Sequence, residues 1–263
     1  MPPSLETAQQ IQITRPATRT APQATTLLVI PTYNERDNIE RLVREIQQRE
    51  LGLDLLIIDD NSPDGTGAVA DEFTKQWPVT VIHRKKKLGI GSAHQLGFQY
   101  AIEQQYPYVM TMDADFTHSS IYLRPIMEQA TSADIVIGSR YAKGGGMSGW
   151  GLHRLLVTRT AHWFTTHVLR MPYDCTGGFR LYRTAVLQRV DFRQIRSEGY
   201  AFLFELLFHL AQGGWTIREV PIVVNVRSSG KSKISWRDLL RAVQTLHRLS
   251  RQRRLTSRAE ASQ

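Results

Sequence analysis

The chain has 263 residues, of which 41% are hydrophobic and 22% are charged, as in an ordinary soluble globular protein. This composition excludes a disordered, collagen-like or coiled-coil chain. The single cysteine, Cys175, excludes an internal disulfide framework. No segment approaches the ~18 consecutive apolar residues of a membrane-spanning helix, and the N-terminus lacks the apolar core of a signal peptide. A cytoplasmic protein is therefore predicted.

The positive charge is concentrated near the C-terminus. Lys and Arg outnumber Asp and Glu by 33 to 24, and residues 227–263 hold ten basic and only two acidic side chains. Such clustering indicates an anionic partner, although a merely solvated basic tail is the alternative. Nucleic acid is disfavoured as that partner, because aromatic residues are not interleaved there as stacking platforms.

Residues 1–25 are predicted to form a flexible leader, and strands and helices alternate from residue 26 onward. The predicted strands are 26–30, 53–58, 79–82, 108–112, 135–137, 179–182 and 217–226. The predicted helices are 35–49, 66–76, 92–105, 122–131, 150–171, 200–212 and 236–254. Asn34 is the predicted N-cap of the first of these helices.

This alternation predicts an α/β fold with a mostly parallel central sheet and helices on both faces. A single domain is expected over residues 26–235, followed by a basic amphipathic helix and tail over 236–263. Ligands of such sheets bind outside the carboxyl ends of the strands. Polar and acidic clusters follow the strands there, at residues 59–65, 113–115 and 138–140.

Asp113-Ala114-Asp115 follows a buried strand, where two carboxylates can converge on one hard cation such as Mg²⁺ or Mn²⁺ together with substrate phosphates. A solvated turn is the alternative interpretation. The pattern also fits a haloacid-dehalogenase-type phosphohydrolase, in which Asp113 would form an aspartyl-phosphate. That motif normally opens its domain, whereas two strands and Asp59-Asp60 precede it here.

The first strand ends at Pro31-Thr32-Tyr33-Asn34-Glu35, where a dinucleotide-binding fold would carry Gly-x-Gly-x-x-Gly. This difference argues against nicotinamide or flavin binding. Tyr33 could stack on a base and Asp60 could accept hydrogen bonds from it. A core tyrosine and a turn aspartate are the alternatives.

Seven motifs in a fixed order resemble those of the family 2 inverting glycosyltransferases, and within them the dolichol-phosphate (polyprenol-phosphate) mannosyltransferases. They are Pro31-Thr32-Tyr33-Asn34-Glu35-Arg36, Asp59-Asp60-Asn61-Ser62-Pro63-Asp64-Gly65-Thr66, Lys87-Leu88-Gly89-Ile90-Gly91-Ser92-Ala93, Met112-Asp113-Ala114-Asp115, Gly138-Ser139-Arg140-Tyr141, Gly177-Gly178-Phe179-Arg180-Leu181-Tyr182-Arg183, and Arg227 with Gly230-Lys231-Ser232-Lys233. The resemblance spans residues 26–235.

The resemblance implies a GT-A type nucleotide-sugar-binding fold and transfer of a mannosyl unit from GDP-mannose to a polyprenyl monophosphate. The alternative is a polyprenyl-phosphate glucosyltransferase, or an enzyme for another sugar, with a UDP-sugar donor. Mg²⁺ or Mn²⁺ is the implied cofactor, held by Asp113 and Asp115.

The resemblance also assigns roles to individual positions. The nucleoside would contact Pro31, Tyr33, Glu35, Ile58 and Asp60. The diphosphate would contact Asp113, Ala114 and Asp115, and the sugar diphosphate and acceptor phosphate would contact Arg140, Arg227 and Lys233. Arg154 and Thr158 are further candidates for the acceptor phosphate, and Asp115 and Arg140 are the candidate catalytic residues. A structural pairing and a catalytic role both stay open for Glu205, in the apolar helix at 200–212.

The lipid acceptor implies a membrane partner. The basic helix at 236–254 could lie on an anionic membrane surface, or its leucines could cover the sheet. The segment 150–171 is a second lipid-facing candidate, with core packing as its alternative. The chain is thus predicted to act peripherally at the cytoplasmic face, and a separate membrane-spanning protein is a candidate partner.

Overall fold

The computed structural model describes residues 11–16, 24–197, 199, 201–226 and 236–260, with side chains described except at 236–240 and 254–260. The strands are β1 (Ile11–Thr14), β2 (Thr26–Thr32), β3 (Leu53–Asp59), β4 (Val79–Arg84), β5 (Tyr108–Thr111), β6 (Ile135–Ser139), β7 (Gly146–Met147), β8 (Arg180–Arg183), β9 (Ile217–Pro221) and β10 (Val223–Val224). The α-helices are α1 (Arg36–Gln47), α2 (Thr66–Phe73), α3 (Ile90–Glu103), α4 (Leu123–Glu128), α5 (Leu152–His167), α6 (Thr184–Leu187), α7 (Ala201–Ala211) and α8 (Trp236–Glu260). Short 3₁₀ turns lie at Ser120–Tyr122, Gln129–Thr131 and Phe192–Gln194.

The central sheet has the strand order β1-β4-β3-β2-β5-β8-β6-β9 in the part of the chain that the structure describes. Four adjacent strands run parallel to one another, in the order β4, β3, β2 and β5. The strand β6 is parallel to β9. The strand β8 runs antiparallel to β5 and β6, and β1 runs antiparallel to β4. The predicted α/β class with a mostly parallel sheet in a single domain is confirmed.

Helices cover both faces because each central strand buries both of its sides. In β2, Leu27 and Val29 join the core under α3, α6, α7 and α8, whereas Leu28 and Ile30 join the core under α1, α2 and α4. Successive side chains of a strand point to opposite faces, so a continuous aliphatic run fits a sheet covered on both sides. No described helix combines the length and the apolar composition needed to cross a bilayer.

The strand β1 contradicts part of the predicted leader. Residues Ile11 to Thr14 pair with β4 along the edge of the sheet, and Ile11 and Ile13 pack against the core. Two β-branched side chains on one face are enough for a short edge strand once a partner is available. Residues 1–10 and 17–23 lie outside the described residues.

The predicted N-cap of α1 is wrong. Asn34 has a left-handed backbone (φ 53°), and its side chain does not cap the helix. Backbone amides at the start of α1 donate instead to side chains that follow β3. The Arg36 amide donates to Asp64 Oδ2 (3.1 Å), and the Glu35 amide donates to Thr66 Oγ1 (2.9 Å). The loop after β3 therefore caps the helix after β2, which joins two of the sequence motifs.

The C-terminal helix α8 packs on the core through one face. Leu249 and Thr245 are buried, and Arg248 binds both carboxylate oxygens of the fully buried Glu205 at 2.7 Å. The backbone amide of Ser197 donates a further hydrogen bond to Glu205 (2.8 Å). Burial would raise the pKa of Glu205, but hydrogen bonds, including those from Arg248 and Ser197, outweigh it and lower the pKa. Glu205 is thus a structural anchor between α7 and α8.

Replacing Glu205 with glutamine is expected to lower the free energy of unfolding by about 3 kcal/mol, because it leaves the Arg248 charge without its carboxylate. The figure is at the low end of the range for a broken buried pair, since Arg248 keeps 32% of its side chain exposed. Urea denaturation measures the change. In the matched control Glu72→Gln, which removes an exposed pair with Lys75, a loss under about 0.5 kcal/mol is expected. Equal losses in the two variants would refute the anchor.

His94, in α3, is buried in the core, and neither ring nitrogen has a hydrogen-bond partner among the described residues. Burial, together with the charges of Arg180 and Arg84, lowers its pKa to about 3. The unfolded chain takes up a proton near pH 6.5, whereas the folded chain stays neutral there, so stability falls as the pH drops below about 6.5.

We expect His94→Leu to reduce this acid sensitivity. The slope for one such group is about 1.4 kcal/mol per pH unit, so the loss of stability between pH 6.5 and 5 should be smaller by about 2 kcal/mol in the variant. Urea denaturation at a series of pH values measures it. His153→Leu, at an exposed histidine, is the control and should follow the wild-type profile. A wild-type profile in His94→Leu would contradict the assignment.

Candidate active site

The site lies at one edge of the sheet, where the loops after β2, β3, β5 and β6 emerge. Three of these loops contain a non-glycine residue with a left-handed backbone: Asn34 (φ 53°), Asn61 (φ 59°) and Phe116 (φ 60°). Such conformations cost free energy and are found preferentially at functional sites. Three more such residues, Glu50, Gln105 and Arg170, lie elsewhere in the described chain, so these conformations accompany the site without identifying it.

The β3 loop is fixed by its two aspartates. Asp59 accepts hydrogen bonds from the Thr32 hydroxyl (3.1 Å) and the Ser62 amide (3.0 Å), which ties β3 to the end of β2. Asp60 is buried and accepts hydrogen bonds from the amides of Leu88 (3.1 Å) and Gly89 (2.8 Å). The carboxylate of Asp60 therefore holds the 87–89 loop beside the strand ends.

A buried ion pair supports the same loop. Arg84 Nη2 lies 2.5 Å from Asp60 Oδ1 and donates to the Gly89 carbonyl (3.1 Å). At the surface, the Lys87 ammonium lies 3.8 Å from the centre of the Tyr33 ring. The Tyr33 ring and a cation thus stand together at the rim, which is a suitable surface for a base and a phosphate.

The other three predicted nucleoside contacts differ in how exposed they are. Pro31 is partly exposed at the end of β2, and Glu35 is buried and accepts a hydrogen bond from the Asn38 amide group (2.6 Å). The Ile58 side chain is wholly buried in the core under α3 and α7, because alternation along β3 turns it there. The Ile58 side chain belongs to the core beneath the site, so the predicted nucleoside contact could come only from its backbone.

Asp113 and Asp115 follow β5, and Ala114 between them is buried in the core. The Asp113 side chain is 27% exposed, whereas Asp115 is largely buried. Asp115 Oδ1 accepts hydrogen bonds from the Thr117 amide (3.0 Å) and hydroxyl (2.6 Å). The tight turn after β5 thereby fixes the orientation of the Asp115 carboxylate.

His118 completes this turn and was missed by the sequence analysis. Its ring stacks on Phe179 with centroids 5.2 Å apart, and its Nδ1 lies 3.8 Å from Asp113 Oδ2. Burial lowers the pKa of His118 to about 4, although the Asp115 charge opposes the shift. The His118 imidazole beside Asp113 is therefore neutral near pH 7.

The residues present fit a divalent cation held jointly with a ligand. Among the described residues, no three His, Cys, Asp or Glu side chains form a complete metal site. Magnesium, however, is usually held by one or two carboxylates together with substrate phosphates. Gly178 lies against Asp113, and a Cβ at that position would stand 3.5 Å from Asp113 Oδ1, an ordinary van der Waals distance. The partly exposed carboxylate of Asp113, next to Asp115 in the same turn, supplies the hard oxygen donors that suit Mg²⁺ or Mn²⁺.

Arg140, after β6, is bound by Asp174, a partner that the sequence analysis did not identify. Arg140 Nε donates to Asp174 Oδ2 (2.7 Å), and Nη2 donates to Asp174 Oδ1 (2.6 Å) and to the Thr176 hydroxyl (2.5 Å). Burial would raise the pKa of Asp174, but Arg140 outweighs it and holds that pKa below its ordinary value. The pair fixes the guanidinium at the site as a permanent cation.

The loop that carries Asp174 is held in place by hydrogen bonds from Arg180 and to Glu219. Arg180 is fully buried and donates to the carbonyls of Cys175 (2.6 Å) and Leu203 (2.7 Å). Glu219, on β9, accepts a hydrogen bond from the Asp174 amide (2.8 Å). The antiparallel strand β8 thus brings this loop next to Arg140 and Asp113.

Two aromatic side chains connect Arg140 to α5. The Arg140 guanidinium lies 5.9 Å from the centre of the Trp150 ring, and that of Arg154 lies 3.7 Å from it. Tyr141 donates a hydrogen bond to the Thr158 carbonyl (3.1 Å). Arg154 is therefore connected to Arg140 through Trp150, and Thr158 is connected to it through Tyr141; the structure brings neither into direct contact with Arg140, and their roles stay predictions. Arg227 and Lys233 lie outside the described residues.

Comparison with known proteins identifies the family. Residues 27–191 match the model of Glycosyl transferase family 2. The chain is 37% identical over 226 residues to the polyprenol monophosphomannose synthase of Mycolicibacterium smegmatis, covering 84% of this chain and 85% of the relative. It is 37% identical over 211 residues to the undecaprenyl-phosphate mannosyltransferase of Micrococcus luteus, covering 80% and 87%.

Solved structures show the same fold. Glucosyl-3-phosphoglycerate synthase from Mycobacterium tuberculosis, in complex with UDP, has a TM-score of 0.62 at 17% identity, covering 87% of this chain and 80% of the other. Mannosyl-3-phosphoglycerate synthase from Rubrobacter xylanophilus has a TM-score of 0.59 at 19% identity, covering 91% and 76%. The predicted GT-A fold and the predicted resemblance are confirmed, and the phosphohydrolase interpretation loses its support. The chain belongs to glycosyl transferase family 2.

Proposed function

We propose that this enzyme transfers a mannosyl unit from GDP-mannose to a polyprenyl monophosphate, with inversion at the sugar carbon. The observation that carries the proposal is the grouping of Asp113, Asp115 and the Asp174-bound Arg140 at one edge of the sheet. Two relatives at 37% identity with mannosyl-transferring names support the choice of sugar and acceptor class.

In this proposal the acceptor phosphate is itself the nucleophile. Its charge is about −1.5 to −2 at neutral pH, so no side chain has to remove a proton from it. One phosphate oxygen forms a bond to the anomeric carbon while the bond from that carbon to the nucleotide diphosphate breaks, and GDP leaves with the electron pair. Catalysis then depends on orienting two anionic groups and stabilising the leaving diphosphate.

The site residues would share the orienting of the two substrates and the stabilisation of the leaving diphosphate. Tyr33 and Lys87 would contact the nucleoside and its phosphate at the rim, and Asp60 would hold the loop that carries Lys87. Asp113 and Asp115 would hold Mg²⁺ or Mn²⁺, which when bound offsets charge on the leaving diphosphate. The Arg140 guanidinium donates through Nε and Nη2 to Asp174 and Thr176, so it would bind a phosphate oxygen through Nη1.

We further propose that the reaction takes place at the cytoplasmic face of a membrane, with the enzyme bound there peripherally. The test is a transfer assay in which purified enzyme, Mn²⁺ and a polyprenyl phosphate are incubated with labelled GDP-mannose, UDP-glucose or UDP-N-acetylglucosamine. Lipid-extractable label is expected from GDP-mannose alone. Label from a UDP-sugar would refute the donor, and label from none of the three would refute the proposed function.

A further inference from the structure

The His118 side chain is buried inside the site, and its Nδ1 atom makes no hydrogen bond. Only 6% of the side chain is exposed, and Nδ1 has no hydrogen-bond partner among the described residues. The charges of Asp115, Arg140 and Asp174 all affect the pKa of His118, so the ring stands among the charged groups of the site. A buried polar atom without a partner costs free energy, and native proteins contain few of them. This nitrogen therefore needs a role.

Packing alone does not explain a histidine at position 118. The ring stacks on Phe179, with centroids 5.2 Å apart and ring planes inclined by 25°. Phe179 is fully buried and belongs to the core under α1, α2 and α4. A phenylalanine at position 118 could make the same kind of stacking contact without burying a polar nitrogen. The contact with Phe179 thus accounts for the ring but not for Nδ1.

The carboxylate nearest to Nδ1 is that of Asp113. Nδ1 lies 3.8 Å from Asp113 Oδ2. This separation is roughly 1 Å longer than an ordinary N–H···O hydrogen bond of about 2.9 Å. The Asp113 side chain is 27% exposed, so solvent adjoins it and a small rotation of the carboxylate can close the gap. The pair is therefore close to a hydrogen bond that the structure does not yet contain.

The two aspartates of the site differ in how they are oriented. Asp115 Oδ1 already accepts hydrogen bonds from the amide and the hydroxyl of Thr117. The corresponding group beside Asp113 is the His118 imidazole, at 3.8 Å. Carboxylates that bind a metal are commonly oriented by hydrogen bonds from neighbouring groups, and loss of such a group typically costs about 10- to 100-fold in metal affinity or activity. His118 is in the right place to orient Asp113 in this way.

We infer that His118 is a positioning residue, which donates a hydrogen bond from Nδ1 to Asp113 when a divalent cation and a nucleoside diphosphate are bound, and so orients the Asp113 carboxylate. The proton is assigned to Nδ1 because an unprotonated Nδ1 would turn its lone pair toward the carboxylate oxygen. The inference rests on the proposed function for the cation and the nucleoside diphosphate, but not for the sugar or the lipid.

Two variants separate a positioning role from a packing role. His118→Phe keeps a ring that can stack on Phe179 but has no donor, whereas His118→Asn loses the ring and keeps an amide N–H near the position of Nδ1. Mn²⁺ affinity in the presence of GDP, followed by electron paramagnetic resonance, should fall at least about tenfold in His118→Phe and stay within about threefold of the wild type in His118→Asn. A side chain that only packs would give the reverse order.

Control measurements show whether the effect is confined to the metal. GDP affinity without metal should be the same in both variants as in the wild type, because neither variant alters Tyr33 or the loop held by Asp60. The thermal unfolding midpoint of His118→Phe should be at least that of the wild type, since the unpartnered nitrogen is removed. His247→Phe, at an exposed histidine of α8, should match the wild type in Mn²⁺ affinity.

Wild-type Mn²⁺ affinity in His118→Phe would overturn the inference, as would a loss in both variants or the reverse order. Repeating the titrations with UDP distinguishes this failure from that of the proposed function. If only UDP supports Mn²⁺ binding and His118→Phe still weakens it, the proposed donor fails and the positioning role stands. If the wild type binds Mn²⁺ with neither nucleotide, the inference fails. Expected Mn²⁺ affinities without sugar transfer from GDP-mannose would refute the proposed function alone.

Discussion

Asp115→Asn is expected to lower sugar transfer at saturating metal by at least about 100-fold, the magnitude typical of losing one group that stabilises transition-state charge. The reason is local. Asparagine keeps an oxygen that can accept the Thr117 hydrogen bonds seen at 3.0 and 2.6 Å, so the turn after β5 should persist. It lacks the negative charge by which a carboxylate attracts Mg²⁺ or Mn²⁺ and offsets the cation's charge.

Two measurements establish the effect: the rate of lipid-soluble label formation, and Mn²⁺ binding in the presence of GDP followed by electron paramagnetic resonance. Both should be lost in Asp115→Asn, while the thermal unfolding midpoint stays close to that of the wild type. The control Asp191→Asn alters a surface aspartate paired with Arg193 and should leave both measurements unchanged. Near wild-type turnover in Asp115→Asn would show that the carboxylate has no part in the reaction.

Asp174→Asn is expected to have the second large effect, on stability and on activity together. It leaves the buried Arg140 guanidinium without its carboxylate, and breaking a buried pair from one side costs about 3–5 kcal/mol. Sugar transfer should fall about 100-fold or more, because the guanidinium loses the partner that orients it. The stabilisation is present above the ordinary carboxyl pKa of about 3.9 and is lost as the pH falls through the lowered pKa of the folded state.

A double variant separates the two consequences. Arg140→Met/Asp174→Asn removes both charges, so no buried cation is left unpaired, and the asparagine oxygen can still accept a hydrogen bond from the amide of Arg140 or of Gly177. We expect it to recover most of the unfolding free energy lost in Asp174→Asn, measured in urea, and to remain inactive in the transfer assay. A stable double variant with substantial transfer would show that Arg140 serves packing alone.

Much of the fold could be predicted because its signals are local. The aliphatic runs 27–30 and 55–58 are continuous, and the apolar spacing within 36–47 is helical, so most elements were placed within a few residues. The edge strand β1 could not be predicted, because its pairing partner β4 lies about seventy residues away and its own sequence is short and polar-flanked. The reversed direction of β8 likewise depends on the path of the intervening chain.

In the site, too, the features with local sequence signals could be predicted and those that depend on tertiary structure could not. The strand-end motifs placed Asp60, Asp113, Asp115 and Arg140 at one edge of the sheet, because parallel strands expose their carboxyl ends together. The Asp174 partner of Arg140 is 34 residues away in sequence, so the pairing depends on tertiary structure. His118 is nearer and carries a signal that could have been used, a histidine three residues after Asp115.

The most direct measurement is the crystal structure of the enzyme grown with GDP and Mn²⁺, with diffraction data collected at the manganese absorption edge. We predict an anomalous peak in contact with a carboxylate oxygen of Asp113 or Asp115 and with the diphosphate, and guanine beside Tyr33 and the loop held by Asp60. A nucleotide bound elsewhere, or a manganese peak remote from both aspartates, would contradict this prediction.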